Sequence, residues 1–302
     1  MITSLEEGKS RILNAVNTNR LSHAIIITGD EYICKKLVDY AASLIFNKHE
    51  GQQLNDVSDY IRIDGASIKA ADADELLSII AVTPSSGERI IAVSNAGCMS
   101  QIIQNMLLKT VEEPPLGNHF FFYGNESGIL PTICSRCAYI TLGQISFEDI
   151  TDILIENGAK QNDAQYFSML SNGSVNNALK LYSDEDFLKF TYDCADYFFG
   201  IKKVCLISDK LKDFAVQNAQ YAVSVFELCI SDIRRCKLGI KAEYFTRAPF
   251  SQKVTVCSDI LSERQINEIA LLLINAKKTL NINVPARQVL DNLAAKIEQV
   301  VS

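Results

Sequence analysis

The chain has 302 residues, with 29 Lys plus Arg against 36 Asp plus Glu and a formal net charge of −7. A dominant phosphate-binding face makes a domain basic, so this balance excludes a protein whose whole surface clings to nucleic acid or anionic lipid, while local basic patches stay open. At 48% hydrophobic and 22% charged residues the composition excludes a disordered chain, and at roughly 100–200 residues per domain the length gives two or three domains.

The start, Met1 to Ser10, carries Glu6 and Glu7 and lacks a basic flank followed by an apolar stretch, which is not the pattern of a secretory signal. The first half then alternates short β-rich runs with amphipathic stretches, the pattern of a parallel sheet covered by helices. The predicted strands are 24–28, 60–63, 89–94, 119–123 and 138–141. Several are apolar on consecutive positions, as strands buried on both faces are. Between them, a helix over 35–46 aligns Leu37, Val38, Ala41, Ala42 and Ile45. Another over 100–113 aligns Ile102, Ile103, Met106, Leu107 and Val111, and Pro114-Pro115 stops it.

After about Leu142 the β signals vanish. Ser146-Phe-Glu-Asp149 has the form of a capping box, and the stretch 170–174 reads as a stop, a short loop and a restart. Helical patterns at 221–238, 263–279 and 286–299 fill the remainder. The expected organisation is an α/β domain over 1–142, a small helical unit over 143–183 and an all-α domain over 184–302. Val223, Phe226 and Ile230 form an apolar stripe that is core first of all, and Arg234-Arg235-Cys-Lys237 reads as a solvated helix end. The 14 Gly and 6 Pro fall below average usage of about 7% and 5%, which favours a helix-rich fold. No run of ~18 apolar residues suggests a membrane span, so the expectation is a cytoplasmic protein with no membrane partner.

Nine cysteines, an odd number, fit thiols acting as small buried hydrophobes in a reducing compartment. Only Cys134-Ser-Arg-Cys137 has a C-x-x-C spacing, and a structural zinc site would need two further ligands. A thiol or metal role at that tetrapeptide is the weakest of the readings weighed; no metal site is expected, and His49 reads as a solvated loop residue.

Strand 24–28 followed by Gly29-Asp-Glu-Tyr-Ile-Cys-Lys-Lys36 and a helix is where a phosphate-binding loop would sit. A working loop reads G-x-x-x-x-G-K-[ST]: glycine lets backbone N–H groups approach the phosphates, the lysine neutralises them, and the hydroxyl holds Mg²⁺. Gly29 and Lys35 fit that frame. Cys34 replaces the second glycine, Lys36 replaces the hydroxyl residue, and Asp30 and Glu31 add negative charge. An ordinary strand-to-helix turn explains the segment equally well. At the second place where charge is needed, strand 89–94 runs into Ser94-Asn95 in place of the acidic pair that organises Mg²⁺ and the attacking water. The two losses together describe a nucleotide-hydrolase scaffold that does not hydrolyse.

Asn105-Met-Leu-Leu-Lys-Thr-Val-Glu-Glu-Pro-Pro115, the strand at 119–123, and Leu130-Pro-Thr-Ile-Cys-Ser-Arg-Cys137 resemble the clamp-loader branch of the AAA+ family. Leu21-Ser-His-Ala24, the stretch 170–178 and Asn281-Ile-Asn-Val-Pro-Ala-Arg287 are also similar to it. The resemblance implies an AAA+ core, a helical lid and a helical collar. It gives Arg136, within Ser135-Arg-Cys137, the role of an arginine finger offered to the ATP of a neighbouring subunit; a bare loop arginine would otherwise read as a surface ion-pair partner. It implies no cofactor of the chain's own, with ATP and Mg²⁺ held by the neighbour. It implies ATPase (gamma/tau) and delta subunits as partners, and the sliding clamp and primed DNA through the complex. Asn125 occupies the place of a γ-phosphate sensor, which without nucleotide becomes a turn residue, and Asn176-Asn177 stand where active members carry a sensing arginine. The family's four-cysteine zinc module is missing from 47–56. The expectation is a DNA polymerase III assembly component with no ATPase activity of its own; an active gamma-like ATPase with an atypical loop is the alternative.

Overall fold

A parallel strand covered on both sides must be apolar at every position, and Ala24–Thr28 shows why: Ile25 and Ile27 enter one core, Ala24 and Ile26 the other. The computed structural model describes residues 2–48, 54–124, 126–199, 215–240, 250–282 and 284–301. His49 and Asn125 lie outside the described residues. Contacts divide the chain into two units, 1–145 with 174–176 and 146–173 with 177–302.

In the first unit the five expected strands all form: β2 (Ala24–Thr28), β3 (Tyr60–Asp64), β4 (Arg89–Ser94), β5 (Asn118–Gly124) and β6 (Ala138–Leu142). A two-residue edge strand, β1 (Ile2–Thr3), pairs with β6 and is too short to have a sequence period. The sheet is wholly parallel, in the order β1-β6-β2-β5-β4-β3. Helices α1 (Leu5–Asn17) and α2 (Glu31–Ile45) cover one face; α3 (Ala70–Ile80), α4 (Gln101–Glu112) and the single turn α5 (Pro131–Cys134) cover the other. In this order β2 lies between β6 and β5, so chain crossovers leave it in both directions. The carboxyl ends at such a switch are where open α/β sheets bind ligands.

The far edge of the sheet is pinned by a buried ion pair. Arg89 contacts Asp59 at 3.1 Å, with side chains 6% and 5% exposed. The remaining Arg89 donors reach the carbonyls of Ile79 and Val82 and the side chain of Asn118. Burial alone would push the Asp59 carboxyl up, but hydrogen bonds from Ser85 and Ser86 and the Arg89 charge more than offset it and hold it below the usual range.

The second unit is helical where described: α6 (Phe147–Glu156), α7 (Gln161–Leu170), most of α8 (Val175–Ser183), α9 (Glu185–Phe199), α10 (Ala219–Lys237), α11 (Ser251–Ile260), α12 (Glu263–Leu280) and α13 (Ala286–Val301). Ser146 caps α6 in the capping box expected there. Val223, Phe226 and Ile230 are buried within the chain. Arg235 is tied to Asp232 and Arg234 donates to Asn267, while Arg234 and Lys237 are exposed, as a solvated helix end would be. Among the described residues, no helix is long and apolar enough to cross a membrane.

Removing one partner of a buried pair strands the other charge, so Asp59→Asn is expected to cost about 3–5 kcal/mol in urea unfolding. Because the folded carboxyl titrates lower than the ordinary ~3.9 of an unfolded Asp, its contribution is complete above that value and is lost as pH falls through the folded one. The Asn variant should show a correspondingly shallower acid limb.

Candidate functional site

The segment between β2 and α2 decides whether a phosphate loop exists. Thr28 ends the strand and Glu31 begins the helix, so only Gly29 and Asp30 connect them. Gly29 has φ +144°, and a Cβ there would stand 3.0 Å from the Cβ of Leu142, a conformation and spacing that favour glycine. Asp30 is the N-cap: its Oδ1 accepts from the backbone N–H of Tyr32 at 3.0 Å and of Ile33 at 3.4 Å, and its carbonyl accepts from Cys34 N–H at 2.9 Å. Its other oxygen accepts from the N–H of Val175 at 3.0 Å, within the first unit. Two of the backbone N–H groups that the start of α2 would point at a phosphate, those of Tyr32 and Ile33, are therefore bonded to a carboxylate of the protein.

This differs from the expected helix start at 35, and the reason is local. Asp30-Glu31 is a helix-start signature in its own right, so 31–36, which a working loop would use to wrap phosphates, is already the first helical turns. Cys34 turns into the core and is fully buried; burial, with Asp30 and Glu31 nearby, pushes its thiol up to about 12. Lys35 is exposed and lies 3.6 Å from Asp39, one turn along the helix. Lys36 stacks over the ring of Tyr32 at 4.9 Å. The frame that Gly29 and Lys35 suggested on paper is thus not a loop in space. Glu31 accepts from Asn176 at 3.2 Å, also within the first unit, and adds a second negative charge at this end of the sheet.

At the end of β4, Ser94 is buried, and Asn95 adopts a left-handed conformation with φ 48°. Asn95 donates to Asp64 Oδ1 at 3.1 Å. Asp64 is a carboxylate that the sequence reading passed over, because it ends β3 rather than β4. The N–H of Ala66 and the Asn95 amide hold its carboxyl below the usual range. Asn177 donates to the Ser171 carbonyl and accepts from Tyr221, inside the second unit.

Arg136 lies elsewhere on the sheet. It precedes β6, whose first residue, Ala138, pairs with Ile25, whereas Gly29 follows the last residue of β2. The strands are parallel, so the two places are at opposite ends, separated along the backbone by at least four strand steps, roughly 13 Å. The Arg136 Nη2 donates to Glu112 Oε1 at 2.9 Å, and Nη1 donates to the Thr132 carbonyl at 2.9 Å and to Ser135 Oγ at 3.4 Å. Nε is buried, with no hydrogen-bond partner among the described residues. Cys137 is half-buried, and burial and the nearby Cys134 push its thiol up to about 12, which makes it a poor nucleophile at neutral pH. Among the described residues, no three His, Cys, Asp or Glu side chains are grouped to hold a metal ion.

The turn that presents Arg136 is anchored by Gln104 of α4, which is 1% exposed. Its Nε2 donates to the carbonyls of Met99 at 3.0 Å and Gly128 at 2.9 Å, and its Oε1 accepts from Leu130 N–H at 2.7 Å. Gly128 has φ +97°, and a Cβ there would stand 2.4 Å from the Gly97 carbonyl oxygen. Sequence reasoning missed Gln104; a glutamine facing the core side of an amphipathic helix was the available signal.

Residues 5–146 match the family model described as DNA polymerase III, delta subunit. The match is confined to that stretch, a little under half of the chain. A DNA polymerase III subunit gamma of Buchnera aphidicola (subsp. Schizaphis graminum) is 34% identical over 132 residues, 41% of this chain and 36% of that protein. A subunit tau of Salmonella typhimurium is 26% identical over 203 residues, 60% of this chain and 32% of that protein. A second Buchnera gamma subunit, 28% identical, is covered over 54% of its length, so the chain spans about a third to a half of these curated relatives. Among solved structures, a Thermotoga maritima gamma-subunit-related protein aligns at TM-score 0.47 and 16% identity, covering 99% of this chain and all of that one. A Bacillus subtilis clamp-loader delta protein aligns at TM-score 0.37 and 11% identity, covering 96% and 99%.

Asp30→Ala uncaps α2 and is expected to cost about 1 kcal/mol, within 0.5–2, in denaturant unfolding. Gln104→Ala removes the partner of the buried carbonyl at 99 and of the part-buried backbone groups at 128 and 130; a loss of about 1–3 kcal/mol is expected, with faster amide hydrogen exchange across 126–136 as the local readout.

Proposed function

We propose that this chain is a non-catalytic clamp-loader subunit of delta-prime type in a bacterial DNA polymerase III holoenzyme, a cytoplasmic assembly. The observation that supports the reading is the Asp30 cap: in a unit whose sequence matches a DNA polymerase III subunit family, the N–H groups of Tyr32 and Ile33 at the start of α2 are already bonded to a carboxylate. With Glu31 beside it, that end of the sheet repels a triphosphate, and the end of β4 offers Ser94 and Asn95 where an ATPase needs acids. No nucleotide or metal of the chain's own is part of the proposal; ATP and Mg²⁺ belong to the neighbouring subunit.

Arg136 then acts in trans. Its place at the amino end of β6 sets it apart from Gly29, in keeping with a role outside its own chain's loop, and a guanidinium presented to a neighbour's γ-phosphate stabilises the charge of phosphoryl transfer. Ser135 and Cys137 shape the turn rather than taking part in chemistry. The partners are ATPase subunits of gamma/tau type and a delta subunit, which together act on the sliding clamp and primed DNA. Any DNA contact is shared across the assembly, in keeping with a chain of charge −7.

The gamma and tau subunits among the relatives favour a second reading, an active ATPase with an atypical loop. That reading requires the first turn of α2 to unwind and Asp30 to give up its amide partners before phosphate can enter.

In an assembly reconstituted with the ATPase subunits, clamp and primed DNA, Arg136→Ala should lower turnover at the site it serves by about 10³-fold or more. Turnover at that site equal to that of the unaltered assembly contradicts the finger.

A further inference from the structure

Arginine brings five N–H donors in a planar fork, and its two bidentate edges, end-on through Nη1 and Nη2 and side-on through Nε and Nη2, share Nη2. In this chain Nη2 is bonded to Glu112 at 2.9 Å, Nη1 is bonded to Thr132 and Ser135, and Nε is buried with no acceptor among the described residues. The guanidinium is folded back on its own chain: both Nη1 bonds are committed to Thr132 and Ser135, Nη2 gives one of its two N–H groups to Glu112, and Nε is buried. That is a resting arrangement, since a phosphate cannot take the fork end-on without displacing the bonds of Nη1, or side-on without exposing Nε, and the Glu112 carboxylate holds the fork in place against both movements.

The pair is also weak enough to give way. The two side chains are 33% and 52% exposed, and exposed ion pairs hold only slightly better than water. Glu112 ends α4, the helix whose Gln104 anchors the turn before Arg136, so the carboxylate and the arginine are set on one connected frame.

We propose that Glu112 is a positioning residue that tethers Arg136 to its own chain until the phosphate of a neighbouring subunit displaces it. The inference rests on the arginine-finger reading above, but the tether itself exists in the isolated chain and can be measured there.

Glu112→Gln removes the charge at constant shape and at a half-exposed site, so the variant is expected to fold with an unchanged melting temperature. In the isolated chain, the Arg136 Nε–H, followed by NMR, should exchange with solvent several-fold faster in Glu112→Gln. In the reconstituted assembly the same variant should lower the apparent KM for ATP by up to about fivefold, the largest gain an exposed ion pair allows, with kcat within about twofold. Unchanged Nε–H exchange overturns the tether. An unchanged or raised KM in Glu112→Gln, alongside a defective Arg136→Ala, also overturns it while leaving the finger standing. If Arg136→Ala leaves turnover intact, the finger reading fails, and the exchange measurement alone then decides whether the ion pair restrains the side chain.

Discussion

The carboxylate of Asp30 is the interaction on which the rest of the first unit turns. A helix N-terminus leaves N–H groups without partners, and a nucleotide-binding protein leaves them open for phosphate. Here the cap follows glycine directly, the helix starts at Glu31, and the open loop contracts to two residues. One early helix start accounts for the burial of Cys34, the outward turn of Lys35 toward Asp39, and the negative charge facing any anion that approaches the carboxyl ends of the strands. The sheet does not depend on a ligand for its integrity: its two apolar faces and the buried Asp59–Arg89 pair hold it together.

A protein that has closed its own cradle can still serve a neighbour, because a parallel sheet separates the two tasks spatially. The carboxyl ends of the strands would bind nucleotide; the amino end of β6 carries Arg136. Changes at one end leave the other free, provided the framework between them stays rigid. Gln104 supplies part of that framework by bonding three backbone groups around the turn that leads to α5. The ion pair with Glu112 works differently, as an exposed contact that restrains the guanidinium without committing it.

Strands β2, β4 and β5 were legible because burial on both faces forces consecutive apolar residues, and the helices over 263–279 and 286–299 because their apolar stripes repeat at helical spacing. Edge strand β1, at two residues, carries no period at all. The start of α2 was misplaced because the segment was aligned to a phosphate-loop pattern, although Asp30-Glu31 is itself a start signal. Arg136 was found through its neighbours Ser135 and Cys137. Its partner Glu112 was not, nor was the link from Gln104 to Leu130, since hydrogen bonds across more than twenty residues follow from the packing of α4 against the turn and leave no local pattern. Arg89 was read only as the first residue of a strand; that it would be buried on Asp59 depends on the sheet order that brings their chains together.

The central claim, that this chain's own phosphate site is shut, is tested most directly by calorimetric titration of the purified chain with ATP in the presence of Mg²⁺. The account predicts no saturable heat up to millimolar nucleotide and no rise in melting temperature, because a ligand that binds the folded state would stabilise it. Micromolar, Mg²⁺-dependent binding that disappears in Lys35→Ala would contradict it.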